Sequence, residues 1–129
     1  GHRIGWYSGY PTRERLVFHG AAKPVALELK PVLLTNSVHL LREYALEHAG
    51  IVCLPTLVAS DAVVAGELTL VLPEHPLGGF WLSVFYPTSV RRALKLKLFL
   101  ELLYGSFSDT PPWDRALIER GLLSDALTE

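Results

Sequence analysis

Methionine is absent from all 129 residues. We therefore expect the chain to be a piece of a longer translation product, with Gly1-His2 a candidate remnant of a cleaved tag. Cys53 is the only cysteine, so no intrachain disulfide can form, which suits a cytoplasmic protein. Neither sign of charge is in excess. Lys and Arg total 12 against 13 Asp and Glu, a net charge of −1, and the pI is about 6.6. A protein that holds DNA alone usually carries a basic face, because phosphate neutralisation supplies much of the affinity. The one local basic cluster (Arg91, Arg92, Lys95 and Lys97) reads as the solvated side of a helix. This chain by itself should not bind DNA. Every apolar run is broken well before the ~18 residues a bilayer-crossing helix needs. The N-terminus GHRIGWYSGYP has no apolar core of a secretory signal.

The usual sequence signs of catalysis are missing as well. There is no G-x-S-x-G elbow, no Gly-rich phosphate loop and no H-E-x-x-H. Cys53 lies in an apolar stretch with no base near it in sequence, and reads as a small buried hydrophobe. His39 and Glu43 share a helix face at i, i+4, but two ligands without a third do not make a metal site. The acids show no paired spacing for general acid-base work. We expect no enzyme, no metal and no cofactor.

What is present is a modest globular core. Half the residues are hydrophobic and 19% are charged, with mean hydropathy +0.28, too apolar for disorder and enough for one domain. Residues 1–14 read as an irregular opening segment, in which Trp6, Tyr7 and Tyr10 cover the core or line a pocket. Residues 15–19 form a short strand candidate. Residues 25–34 alternate at period two, and Pro31 confines that strand to an edge or splits it. A helix follows, with Val38, Leu41, Ala45 and Ala49 on one face and Gly50 as its stop. Residues 51–54 are a buried strand, possible in parallel pairing. Pro55 opens a second helix, Gly66 ends it, and residues 67–72 alternate as another strand. Residues 80–86 are the most aromatic strand candidate. The helix over 88–104 carries leucines around most of its circumference, which calls for packing partners on several sides. Residues 113–123 suggest a last amphipathic helix. Alternating strands and helices make the class α/β.

Thr35-Asn36-Ser37 gathers capping side chains where a strand ends and a helix begins. Two readings stay open. The segment caps the helix and does nothing more, or its free amides and polar groups also accept a carboxylate or similar anion. Open α/β sheets bind ligands at such strand ends.

The order of elements from residue 35 to 72, with HAGIVCLP and VVAGELTLVL at its centre, resembles the effector-sensing half of LysR-type transcriptional regulators. LVFHG at residues 16–20, LSVFYP at 82–87, the helix over 90–103 and PPWD at 111–114 extend the likeness. Two departures stand out: Leu16 where the family often has tryptophan, and His48 where it has a helix-ending glycine.

The resemblance implies half of a type-2 periplasmic-binding-protein-like two-lobed sensor, a mixed sheet flanked by helices. Residues 15–79 would be its second lobe, residues 80–105 a strand and helix returning to the first lobe, and residues 106–129 a tail with a short helix. It implies a small, polar or anionic effector in an interlobe cleft, contacted by Thr35, Asn36 and Ser37 and held weakly here. It also implies homo-oligomers in the cytoplasm, and DNA contact only through an N-terminal domain outside this chain. A homodimer that swaps helix 90–104 would cover its leucines. Other readings are an extracytoplasmic solute-binding protein of the same fold, which a signal peptide upstream would favour, a small α/β enzyme, or a plain oligomerisation module.

Overall fold

A computed structural model describes residues 1–10, 15–18, 23–75, 77, 83–107 and 110–123. Its centre is a three-stranded parallel sheet in the order β4-β1-β5, with β1 Ile4–Tyr7, β4 Leu33–Thr35 and β5 Ile51–Val52. A separate antiparallel pair joins β2 Arg15–Phe18 to β3 Val25–Glu28. The α/β class expected from the sequence is thus present, with parallel and antiparallel pairing divided between two sheets.

The opening segment is the main correction. Residues 4–7 are not irregular; they are the strand on which the sheet is built, and Trp6 is a core residue at 2% exposure. A central parallel strand is buried on both faces, so it carries no alternation by which to recognise it. Its partners also lie about thirty and forty-five residues away in the chain, in the registers Trp6 to Leu34 and Gly5 to Val52.

Helix α1, Val38–Leu46, crosses from β4 to β5 and packs on all three strands. Gly5 lets it close in, because a Cβ there would lie 2.9 Å from the fully buried Leu41 and 3.1 Å from Val52. The helix does not run to Gly50. It ends at Leu46, and His48 takes the left-handed backbone conformation at φ 56°. The position where the family has glycine is therefore one where glycine would be comfortable. Gly50 has a different duty: a Cβ on it would strike the Arg3 carbonyl, the acceptor of the Ile51 N–H at 2.9 Å.

Helix α2, Thr56–Ala65, starts after Pro55 and ends on Gly66 at φ 79°, as its sequence suggests. Residues 67–72 do not make the expected strand. The Glu67 and Leu68 amides turn back onto the Ala62 carbonyl at 2.9 and 3.1 Å, so the chain wraps the helix end and reaches no sheet edge. Helix α4, Pro112–Glu119, packs on α2, bringing Leu117 into the core with Ala62 and Val63. Arg120 donates to the Val64 carbonyl at 2.6 Å. The α4 helix is shorter than residues 113–123 suggest, and Gly121 turns the chain away at φ 66°.

Residues 83–87 form no strand, and residues 80–82 of that strand candidate lie outside the described residues, as does His19. The helix expected over 88–104 is broken. A 3-10 turn, Thr88–Val90, precedes α3, Leu94–Ser106, which runs on past Gly105. The strand expected over residues 25–34 is likewise divided at Pro31 into β3 and β4.

His48→Gly should raise unfolding free energy by roughly 0.5–1 kcal/mol, since the exposed imidazole has little packing to lose. Gly50→Ala should lower it by about 2 kcal/mol or more, because backbone must move. Urea unfolding of both variants measures the two signs.

Candidate functional site

The carboxyl ends of β1, β4 and β5 point the same way, as parallel pairing requires, and the segments leaving them meet at one edge of the sheet. Strand β4 delivers Thr35, Asn36 and Ser37. The Ser8 amide, just past β1, donates to the Thr35 carbonyl at 2.8 Å and binds the two strand ends together. Thr35 Oγ1 accepts the Ser37 amide at 3.1 Å. Ser37 is the helix N-cap in extended backbone, and its Oγ accepts the Leu40 amide at 3.2 Å.

Two of the three sequence candidates therefore spend their oxygens on local structure. Asn36 lies between them, exposed. Behind it the first amides of α1 have no intrahelical acceptor, and the first turn of the helix contains no acidic residue. The positive end of the helix dipole is thus not already neutralised by a neighbouring carboxylate.

Past the end of β1 stands an aromatic group that the sequence offers either as cover for the core or as the lining of a pocket. The Tyr10 ring lies 4.9 Å from Trp6 and meets Tyr7 edge-on at 5.5 Å. Its hydroxyl reaches Cys53 Sγ at 3.5 Å, just past β5, so that Tyr10 links the ends of β1 and β5. The buried Trp6 Nε1 has no hydrogen-bond partner. The only hint of this cluster in the sequence is the density of aromatic residues in WYSGY. The pairing with Cys53 depends on parallel strand order, which no local pattern carries.

Burial pushes the Tyr10 hydroxyl well above the usual tyrosine range, and the hydrogen bond with Cys53 adds to the rise. Burial also raises the Cys53 thiol, an effect the Tyr10 hydrogen bond partly offsets. Both groups are neutral at pH 7. Asn36 is polar and uncharged, and neither Tyr10 nor Cys53 has the lowered pKa of an activated nucleophile. His39 and Glu43 are both exposed. Among the described residues no group of three or more His, Cys, Asp or Glu could hold a metal.

The pattern of the LysR substrate binding domain matches residues 3–108. The chain belongs to that family. The match takes in β1, which sequence reading had placed outside the domain, and stops short of α4. No curated protein and no solved structure matches the chain. The LysR substrate-binding domain is the effector-sensing part of a regulator, and its periplasmic-binding-protein-like fold agrees with the parallel sheet and covering helices seen here. No helix among the described residues is long and apolar enough to cross a membrane.

Because both shifts raise an acid's pKa on folding, their contribution to stability is complete below the unfolded thiol's ordinary pKa of about 8.5. It is lost as pH rises past that value and the unfolded chain releases protons that the folded chain retains. Urea unfolding between pH 7 and 10 should show falling stability with a shallower slope in Cys53→Ala. Iodoacetamide should modify native Cys53 more slowly than the urea-unfolded chain at pH 8. Equal rates would mean the thiol is neither buried nor raised.

Proposed function

We propose that this chain senses a small polar or anionic effector for a LysR-type transcriptional regulator, and that the effector's polar group meets Asn36 and the N-terminal amides of α1. The observation that carries the reading is the division of labour in residues 35–37. Thr35 and Ser37 are held by the Ser37 and Leu40 amides, which fixes the turn, while Asn36 is left exposed beside a helix end without a carboxylate. A fixed turn with one free amide side chain loses little conformational entropy when a ligand arrives. Thr35 and Ser37 then act on the effector through backbone position, with Tyr10 forming the neighbouring wall.

In this reading, residues 15–79 together with β1 supply one wall of a two-lobed cleft, and residues 80–105 belong with the other. An effector buried between two walls binds more tightly than one held by a single wall, so this chain alone should bind in the millimolar range or not at all. A ligand that prefers the closed cleft shifts the sensor's population by its differential affinity, and that shift re-angles DNA-binding domains joined to it. Such regulators work in the cytoplasm as dimers or tetramers.

The test is an amide NMR titration of the 129-residue chain with small carboxylates such as acetate and benzoate. Shifts should concentrate at residues 8–10 and 36–39, and weaken at least threefold in Asn36→Asp, where a new carboxylate repels the ligand. Shifts scattered over the surface, or equal in Asn36→Asp, would remove Asn36 from the site.

A further inference from the structure

Among the described residues, three buried side-chain polar atoms have no hydrogen-bond partner: Trp6 Nε1, Tyr44 Oη and Asp114 Oδ1. Such groups are rare in folded proteins, because desolvation without a partner is costly. The Tyr44 ring lies against Gly50, at the amino end of β5, and Asp114 sits in the first turn of α4. Trp6 alone of the three stands towards the carboxyl end of a strand, where open α/β sheets bind ligands.

The surroundings of Trp6 follow from strand register. A Cβ on Gly5 would meet Leu41 of α1 and the side chain of Val52, its partner in β5, so that face of the sheet belongs to α1. Trp6 comes next in β1 and Cys53 next after β5, so their side chains emerge on the opposite face. Trp6 is registered with Leu34, the residue before Thr35, which stays 53% exposed. Tyr10 covers this group. Its ring lies 4.9 Å from the indole, and its hydroxyl meets Cys53 Sγ at 3.5 Å. Sulfur is a weak hydrogen-bond partner, so that contact is readily exchanged for one with oxygen.

We propose that the Trp6 indole N–H donates to the effector, and that it is reached when Tyr10 exchanges Cys53 for the ligand. The proposal rests on the effector reading above and narrows the ligand's chemistry. Trp6 Nε1 can only donate, and the Tyr10 hydroxyl can donate once it has left Cys53. Two neutral donors in one cluster match a group that only accepts, which is a carboxylate. Leu34 and the rings of Trp6 and Tyr10 offer apolar surface to the rest of the molecule. An aromatic carboxylate therefore suits the cluster better than a short acid such as acetate.

The test is a benzoate titration of the 15N-labelled 129-residue chain, read at the Trp6 indole N–H, which Trp6→Phe identifies by its disappearance. Benzoate should move that signal downfield. Benzylammonium, with a similar ring and no acceptor, should leave it in place. Acetate should need about tenfold more ligand for the same shift, since it covers less apolar surface. Without ligand, Tyr10→Ala should speed solvent exchange of the indole proton about tenfold or more by removing its cover. Cys53→Ala removes the contact that Tyr10 must give up and should tighten benzoate binding about threefold. Trp6→Phe should weaken binding about threefold or more, read from the amides of residues 36–39. Circular dichroism checks its folding, and if it fails to fold, the indole signal and Cys53→Ala decide. An indole signal that ignores benzoate, or that follows benzylammonium equally, would overturn the proposal. If the amides of residues 36–39 still shift in that case, the effector reading survives without Trp6. Indole shifts without those amide shifts would keep Trp6 and remove Asn36.

Discussion

The seat of α1 on β1 is the contact on which the rest depends. Gly5 has no side chain, so the backbone of a central strand comes within reach of Leu41, and that leucine is completely buried as a result. The same absence of a Cβ admits Val52 from β5. With α1 held there, its N-terminus stands over the end of β4, and its C-terminus must turn within a few residues to enter β5. The left-handed conformation of His48 and the bare backbone of Gly50 against Arg3 are consequences of that short return.

The second layer hangs on the first through α2. Arg42 of α1 reaches Asp61 of α2 at 3.1 Å, a largely exposed pair that orients more than it stabilises. Apolar burial does more. Ala62 and Val63 are small enough for α4 to settle on α2, and Leu117 fills the space between. The core is correspondingly modest, and much apolar surface stays in water, on α3 above all. The strand-end turn and α3 thus differ in chemistry. The turn around Asn36 is polar and held by the hydroxyls of Thr35 and Ser37, whereas α3 is apolar with charges along its flank.

Much of this was legible from residues alone. Ser37 followed by a periodic apolar face predicts α1, and Pro55 with Gly66 brackets α2 because each fixes a backbone angle locally. Pro31 divides β3 from β4 for the same local reason. The errors fall where pairing is long-range. Residues 67–72 alternate like a strand, but their leading amides are claimed by the end of α2. Residues 4–7 look irregular, yet they have partners on both sides. Thr35, Asn36 and Ser37 read alike as capping residues in the sequence, and only the hydrogen bonds divide the two hydroxyls that hold the turn from the exposed Asn36.

The sequence by itself determined the class of the fold, the family and the caps and stops of the helices, since these rest on short-range geometry and on ordered motifs. It also established that no charge imbalance or disulfide governs this chain. Tertiary structure alone decided that β1 is the centre of the sheet, that Tyr10 meets Cys53 across two strand ends, and that α3 shows its leucines to solvent. Each of those outcomes depends on which distant segment fills a given hydrogen-bonding edge or covers a given face, and local propensity is blind to that choice.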